Sequence, residues 1–383
     1  MTHDFLPFAL PDVGEAEIQA MAAAVRSGWL SSGPKVKEFE SAFSDVMGDG
    51  IEAVSLNSAT AGLHLALEAL GVGPGDEVLV PTWTFTATAE VVRLLGATPV
   101  LVDVDRHTLN IDLVDAASKV TSATCGVIPV HFAGLPVDPR AIADFKTRYG
   151  LWVVEDAAHA FPASWSGKLV GTNQSEATVF SFYATKTMTT GEGGMLVTRN
   201  AELARRAKSM RLHGISRDAF DRYRSTKPSW HYDVVAAGYK YNLTDPAAAI
   251  GLVQLGRAIE MRDRRAHIAT KYDEGLSNLG LDLPTWGGSE VEHAWHLYVI
   301  RVPAEFKRNE VIEALARMGI GTSVHFIPLH LQSFWRDFGK YSPQDFPVAS
   351  AVFERTISLP IYSAMQSDQI SRVIEGVQHA LVR

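Results

Sequence analysis

Seven short apolar segments, most of them separated by helical stretches, dominate the first half of the chain. They lie at Ala53–Leu56, Glu77–Val80, Pro99–Val102, Gly126–Val130, Leu151–Glu155, Thr178–Phe182 and Met195–Thr198. Continuous apolar runs of this length are typical of strands buried on both faces. Their alternation with helices predicts an α/β fold whose central sheet is mostly parallel and covered on both sides.

The second half of the chain predicts a smaller α+β domain. Strand-like segments lie near His296–Val302 and Ile320–Phe326, and a helical region runs from Asp245 toward Tyr272. We therefore divide the chain into a large domain, 1–250, and a small C-terminal domain, 251–383. The hydrophobic content of 46% is sufficient for both cores. Four arginines are expected to form the solvated face of the helical region: Arg257, Arg262, Arg264 and Arg265.

Composition argues against several classes of partner. A formal net charge of -8 gives no positive field for nucleic acid or an anionic membrane. No apolar run is long enough to span a bilayer, and the N-terminus lacks the pattern of a signal peptide. The single cysteine, Cys125, cannot form an internal disulfide, which fits a reducing compartment. A cytoplasmic protein is expected.

No metal site is expected. His325 and His330 lack the spacing of a ligand pair, and no cluster of cysteines or carboxylates accompanies them.

One lysine lies at a tight turn between two strands. Lys186 follows the aromatic-rich strand that ends at Ser181-Phe182-Tyr183, and Gly191–Gly194 returns the chain into the next strand. A lysine that is buried there needs a use, and one use is a Schiff base with a carbonyl cofactor such as pyridoxal phosphate. The alternative is an exposed lysine beside a hairpin. This segment alone does not decide between the two.

An aspartate follows the strand Leu151–Glu155. Ligands of open α/β sheets gather at the carboxyl ends of strands, which is where Asp156 is expected. Its carboxylate could pair with the protonated ring nitrogen of pyridoxal phosphate. It could instead cap the following helix. The small residues Ala157 and Ala158, followed by His159, favour a backbone pressed against a flat ligand.

Two further segments fit the phosphate and the ring of such a cofactor. The turn Asn57–Thr60 lies between a strand and a helix, where free N–H groups and the hydroxyls of Ser58 and Thr60 can bind an anion. Ser and Thr are also ordinary N-cap residues. Ser181 is a plausible additional phosphate ligand. Trp83, after the strand Glu77–Val80, is the candidate for stacking on the ring, although Trp83 and Phe85 could both be packing residues.

These residues resemble the DegT/DnrJ/StrS family of pyridoxal phosphate-dependent nucleotide-sugar aminotransferases over nearly the whole chain. The matching segments are Ser27–Lys35, Asn57–His64, Pro129–Gly134, Glu155–Ala160, Lys186–Gly194, Gly238–Asp245, Ala294–Tyr298 and Val324–His330. The resemblance implies the aspartate aminotransferase-like (type I) fold and a homodimer with shared active sites. A neighbouring subfamily of sugar dehydratases carries histidine in place of the lysine, so Lys186 argues for transamination.

The resemblance also implies a role for each matching residue. Lys186 would form the internal aldimine, Asp156 would pair with the pyridine nitrogen, and His159 would lie near the phenolic oxygen. Trp83 would stack on the ring. The phosphate would be held by Ser58, Ala59, Thr60 and Ser181, with Asn242 or Lys240 reaching it from the partner subunit. Substrate contacts are implied for Trp29, Tyr183, Lys240 and His325.

Within the family, the chain is most similar to members that make UDP-4-amino-4-deoxy-L-arabinose for lipid A modification of lipopolysaccharide. The shared details are Lys240, Asn242, His159, the loop Leu212–Gly214 and Asp221-Arg222. The implied reaction moves an amino group from glutamate, which becomes 2-oxoglutarate, to C4 of a nucleotide-linked 4-keto sugar. The alternatives are another sugar carbon, a decarboxylase or lyase acting on a free amino acid, and a non-catalytic regulatory protein.

Overall fold

A computed structural model describes residues 5–216 and 232–382. Asp221 and Arg222, which contribute to the resemblance above, lie outside the described residues. The strands are β1 (Glu52–Leu56), β2 (Glu77–Pro81), β3 (Thr98–Val102), β4 (Thr124–Val127), β5 (Trp152–Asp156), β6 (Ser164–Trp165), β7 (Lys168–Leu169), β8 (Ala177–Ser181), β9 (Gly194–Thr198), β10 (Val291–Glu292), β11 (Tyr298–Arg301) and β12 (Thr356–Leu359).

Helices cover both faces of the central sheet and build the C-terminal region. They are α1 (Glu15–Arg26), α2 (Pro34–Met47), α3 (Ala59–Ala69), α4 (Ala87–Leu94), α5 (Leu113–Ser118), α6 (Pro139–Tyr149), α7 (Ala201–Met210), α8 (Asp245–Leu276), α9 (Arg308–Arg317), α10 (Ser333–Gly339), α11 (Pro347–Phe353) and α12 (Ser367–Ala380). Within the described part of the chain, no helix has both the length and the apolar character needed to cross a membrane.

The central sheet has seven strands in the order β1-β9-β8-β5-β4-β2-β3. Strands β8, β5, β4, β2 and β3 pair in parallel, while β9 is antiparallel to both of its neighbours. The exception arises because the chain returns from β8 to β9 through the turn that contains Lys186, without a crossover helix. The pairing of Ser181 with Gly194 therefore holds Lys186 at the carboxyl end of β8.

The second strand of the C-terminal region is not the one predicted from the sequence. β11 pairs with β12 in a two-stranded antiparallel sheet. The segment predicted as a strand at Ile320–Phe326 forms only isolated bridges, Leu6 with Ile320 and Ser323 with Ser358. Ile320 still contributes to the core, because its side chain is fully buried.

Helix α8 connects the two parts of the molecule. Its first half packs Ala248, Ala258 and Met261 against the core beside β9, and its second half packs Ile268 and Tyr272 into the C-terminal core. The division at residue 250 falls inside this helix and stays a prediction. The prediction of a fully solvated arginine face is wrong for Arg265, whose side chain is buried between the helix and the C-terminal segments.

Candidate active site

A cavity of about 480 Å³ lies at the carboxyl edge of the central sheet. It collects side chains from segments that are far apart in the sequence, because the ends of parallel strands meet at one edge. Its lining includes most of the residues predicted for the site: Ser58, Ala59, Thr60, Asp156, His159, Ser181, Tyr183, Lys186 and His325. Other lining residues are Thr84, Phe85, Glu192, Gly193, His296 and Phe326.

Lys186 is partly buried in the wall of this cavity. Burial lowers the pKa of its amine from 10.5 to about 8; Asp156 opposes the shift and Arg265 contributes to it. A larger fraction of the amine is therefore neutral near neutral pH than for an exposed lysine. A neutral amine is the form that attacks a carbonyl group or accepts a proton.

Asp156 is the last residue of β5, and its side chain is buried. Its Oδ2 accepts a hydrogen bond from Thr88 Oγ1 at 2.7 Å, and its Oδ1 accepts one from the Ala158 N–H at 3.1 Å. Burial raises the pKa of this carboxyl despite both bonds. A cation placed against it would favour the ionised form. The site thus provides an oriented carboxylate that lacks a fixed cationic partner at hydrogen-bonding distance among the described residues.

His159 is a neutral imidazole on the same wall. Burial lowers its pKa well below the ordinary value, and the nearby Lys186 adds to the shift. Its Nδ1 accepts a hydrogen bond from the Ala133 N–H at 3.3 Å. The proton of the neutral ring is therefore on Nε2, which makes that nitrogen a hydrogen-bond donor.

The N-terminus of α3 forms the anion-binding part of the cavity. Ser58 is the N-cap, and its Oγ accepts from the Ala61 N–H at 3.1 Å. The first N–H groups of a helix have no partner within the helix, and those of Ala59 and Thr60 belong to lining residues. Gly194 allows β9 to approach closely: a Cβ atom there would lie 2.6 Å from the carbonyl of Ser58. Hydroxyls, N–H groups and the helix dipole together suit a phosphate.

Comparison with known proteins decides the family. A sequence model of the DegT/DnrJ/EryC1/StrS aminotransferase family matches residues 11–378. The chain belongs to this family.

Relatives of this DegT-family chain cover it almost completely. The chain is 45% identical over 378 residues to the spore coat polysaccharide biosynthesis protein SpsC of Bacillus subtilis, covering 98% of this chain and 96% of SpsC. It is 47% identical to the uncharacterized protein MJ1066 of Methanocaldococcus jannaschii, with 98% and 97% covered. The putative sugar aminotransferase Spr1654 of Streptococcus pneumoniae, solved in its PMP form, is 34% identical, with 98% and 99% covered and a TM-score of 0.91.

These findings confirm the fold class and the cofactor. Spr1654 has been solved with pyridoxal phosphate as well as in its PMP form, and the DegT family depends on this cofactor. The protein is therefore a pyridoxal phosphate-dependent sugar aminotransferase. The described residues fit the group, because one cavity contains an amine, a buried carboxylate and an anion-binding helix end. When bound, pyridoxal phosphate supplies an electron-poor ring that accepts electrons from the reacting carbon.

The sequence prediction for Trp83 needs a correction. Trp83 is fully buried, packs edge-on against Phe132 at 6.1 Å between ring centroids, and does not line the cavity. Phe85 does line it, is 60% exposed, and lies 6.0 Å from the ring of Phe326. The chain bends at residues 82–84 instead of continuing as a strand, so these two aromatic rings, two residues apart, do not share one face, and only that of Phe85 reaches the cavity. Phe85 replaces Trp83 as the candidate for stacking.

Substituting the two aromatics separately tests this correction. Phe85→Ala should weaken pyridoxal phosphate binding roughly 2- to 10-fold, the value of one aromatic stack, and change the free energy of unfolding by less than about 1 kcal/mol. Trp83→Ala should lower the free energy of unfolding by about 3–5 kcal/mol, because it leaves a large cavity in the core. Cofactor titration and urea unfolding measure the two effects. The reverse pattern, with the larger affinity loss in Trp83→Ala, would restore the stacking role to Trp83.

Besides Trp83, three of the predicted site residues do not line this cavity. Trp29 lies between α1 and α2, and Lys240 and Asn242 lie on a segment that runs beside β1. The exposed Lys240 Nζ donates to Asn242 Oδ1 at 2.5 Å, and Asn242 Nδ2 donates to Ser32 Oγ at 2.8 Å. The roles predicted for Lys240 and Asn242 require a second subunit, and these roles and that of Trp29 stay predictions.

Thr88 and His296 were missed by sequence reasoning. Thr88 orients Asp156, and His296 Nε2 lies 3.5 Å from Lys186 Nζ. The segment around His296 was recognised as a family motif, and that was the available signal. No local pattern indicated that it meets a lysine 110 residues earlier in the chain.

The lowered pKa of Lys186 leads to a pH prediction. Only the neutral amine can bond to the cofactor, so the rate at which cofactor-free protein acquires visible absorbance with pyridoxal phosphate should rise with pH and level off above about 8. Stopped-flow absorbance across pH 6 to 11 measures the midpoint, with N-acetyl-lysine as the matched control, whose amine titrates at about 10.4. A protein midpoint at the control's value would contradict the buried environment of Lys186.

Proposed function

We propose that this protein transfers the amino group of L-glutamate to the keto group of a nucleotide-linked sugar, at C4 of a 4-keto sugar. The observation that carries the proposal is the placement of Lys186 and Asp156 in one cavity with the N-terminus of α3. This is the set of groups that transamination with pyridoxal phosphate needs. The similarity to Spr1654, a putative sugar aminotransferase, supports a sugar as the acceptor.

Each group in this set has a chemical task. Ser58, Ala59, Thr60 and Ser181 hold the phosphate, and Asp156 holds the protonated ring nitrogen. His159, with its proton on Nε2, donates a hydrogen bond to the phenolic oxygen. Lys186 holds the cofactor at rest. Once released as a neutral amine, it carries the proton at Nζ between the reacting carbon atom of the cofactor and that of the substrate. Its lowered pKa suits that task, because a base with a pKa near the working pH is the most effective.

The lining of the cavity supports a neutral sugar ring next to the cofactor. Hydroxyl and aromatic side chains dominate it, including Thr84, Phe85 and Tyr183. Lys186 is the only lysine or arginine among the described lining residues. The carboxylates of glutamate and the diphosphate of a nucleotide sugar need further cations. We therefore propose that Lys240 of a second copy supplies one, so that the active sites are shared in a homodimer.

The name of SpsC supports a polysaccharide precursor as the product. That relative is named for spore coat polysaccharide biosynthesis. A 4-amino sugar attached to a nucleotide is an activated precursor for such a polymer. The proposal also includes the similarity, inferred from sequence motifs, to enzymes that make UDP-4-amino-4-deoxy-L-arabinose.

Difference spectra test the proposed function directly. Protein loaded with pyridoxal phosphate should lose its visible absorbance when L-glutamate is added, and a band of the amino form of the cofactor should rise. Adding a nucleotide-linked 4-keto sugar should then restore the original spectrum and yield an amino sugar detectable by mass spectrometry. A spectrum that ignores glutamate would reject this amino donor. Restoration by 2-oxoglutarate but by no keto sugar would reject the acceptor.

Complementation tests the shared active site. Lys186→Ala and Lys240→Ala proteins should each be inactive or strongly impaired, whereas co-expression of the two should recover activity. A mixed dimer has one site with both lysines only if each site takes Lys186 and Lys240 from different copies. Single-chain sites would give no recovery. Lys208→Ala, at an exposed lysine paired with Glu52, is the matched control and should retain activity.

A further inference from the structure

His296 lies beside both Lys186 and His159 in the wall of the cavity. Its side chain is 6% exposed, its Nε2 is 3.5 Å from Lys186 Nζ, and its ring centroid is 4.3 Å from that of His159. The first distance is at the outer limit of a hydrogen bond. Burial keeps the pKa of His296 well below the ordinary value, and Lys186 adds to the shift. The imidazole is therefore neutral.

The protonation state of Lys186 decides how the two groups interact. Below its pKa of about 8, Lys186 is an ammonium group and can only donate hydrogen bonds. His296 Nε2 must then be the acceptor, which puts the ring proton on Nδ1. Nδ1 is buried and has no hydrogen-bond partner in the described part of the chain. Among the described residues, the contact between Nε2 and Lys186 Nζ is therefore the one polar contact of the His296 ring.

Arg265 fixes the backbone at His296. Its Nη1 donates to the carbonyl oxygens of Trp295, His296 and Ile361 at 3.3, 3.4 and 2.9 Å. The side chain is 2% exposed, and its charge is met by these carbonyl oxygens. Burying a guanidinium group costs free energy unless hydrogen bonds replace those to water, as these three do. The Arg265 side chain therefore holds a defined position. It ties α8 to the segment that carries His296 and to the segment after β12.

We propose that His296 is a positioning residue for Lys186: its neutral Nε2 accepts a hydrogen bond from Nζ and holds the amine beside the reacting carbon atoms while it carries a proton. Arg265 keeps the His296 backbone in place for this contact. The inference rests on the proposed role of Lys186. It assigns a task to the Ala294–Tyr298 motif that the proposed function leaves unused.

The pH dependence of cofactor uptake provides a test that does not depend on turnover. An acceptor at Nε2 stabilises the ammonium form of Lys186, so removing it should lower the midpoint for uptake of pyridoxal phosphate. The other titratable or charged groups facing Lys186 remain in every variant: Asp156, His159, Arg265 and His325. His296→Leu should shift the midpoint down by about one unit, the value of one hydrogen bond to a charged group. It should also slow the glutamate-driven spectral change about tenfold.

His296→Gln is the conservative variant, because its amide oxygen can replace Nε2 as the acceptor. It should retain the wild-type midpoint and most of the rate. The matched control is His267→Gln, at an exposed histidine on α8. If His296→Leu does not fold, His296→Asn, whose amide is too short to reach Nζ, should show the same downward shift.

Two results would overturn this inference. A folded His296→Leu protein with an unchanged or raised midpoint would show that Nε2 is not an acceptor for Lys186. Equal losses in His296→Leu and His296→Gln would reduce the role of His296 to packing. Failure of the proposed role of Lys186 would give a different result. Wild-type protein would then take up the cofactor without using Lys186, so a Lys186→Ala protein would still gain the visible band.

Discussion

Lys186→Ala protein should lack both turnover and the visible absorbance of the lysine-bound cofactor. Lys186 is the only lysine lining the described cavity, so no other amine there can replace it as the attachment point. We expect a loss of at least about 10³-fold in amino-group transfer, because the substitution removes the covalent attachment and the proton carrier together. Absorbance spectra with pyridoxal phosphate and a coupled assay for 2-oxoglutarate measure the two effects.

A matched substitution separates chemistry from folding. Lys168→Ala changes an exposed lysine at the start of β7 and should leave both measurements unchanged. The Lys186→Ala protein should unfold at a urea concentration no lower than wild type, because a partly buried amine with a lowered pKa does not stabilise the fold. A yellow, active Lys186→Ala protein would refute the role of this lysine.

Asp156→Asn should retain the fold and the cofactor but lose most of the transfer rate. The amide oxygen can still accept the hydrogen bond from Thr88 or from the Ala158 N–H, so the local structure is preserved. The negative charge that would stabilise a protonated ring nitrogen is lost. Removing one oriented electrostatic contact of this kind costs about 10²–10³-fold in rate. Single-turnover absorbance with saturating L-glutamate measures the change.

The control for this substitution is Asp138→Asn. Asp138 is the N-cap of α6, where asparagine is equally favourable, so neither rate nor stability should change. Comparable rates in Asp156→Asn and wild type, measured with full cofactor occupancy, would show that Asp156 acts only through its hydrogen bonds with Thr88 and the Ala158 N–H. In the described part of the chain no helix follows β5 before β6, so the helix cap considered in the sequence analysis is not formed.

Much of the site could be predicted because it depends on short-range patterns. Buried strands are recognisable as apolar runs, so the residues that lie at their carboxyl ends can be identified from the sequence. Lys186, Asp156 and Ser58 follow such strands, and the sheet brings them to one cavity. Local pattern was less informative where a segment is apolar but not paired along its length. Ile320–Phe326 is such a case, since burial there does not require a strand ladder.

The sequence by itself determined the fold class, the family and the candidate lysine, carboxylate and phosphate turn, because these depend on the order of residues within single segments. Only the tertiary structure decided that Phe85 and not Trp83 reaches the cavity, that Arg265 is buried, and that His296 meets Lys186. The physical reason is that side-chain direction, desolvation and the resulting pKa values depend on neighbours that are distant in the sequence. Those neighbours are present only once the sheet and the C-terminal region have packed together.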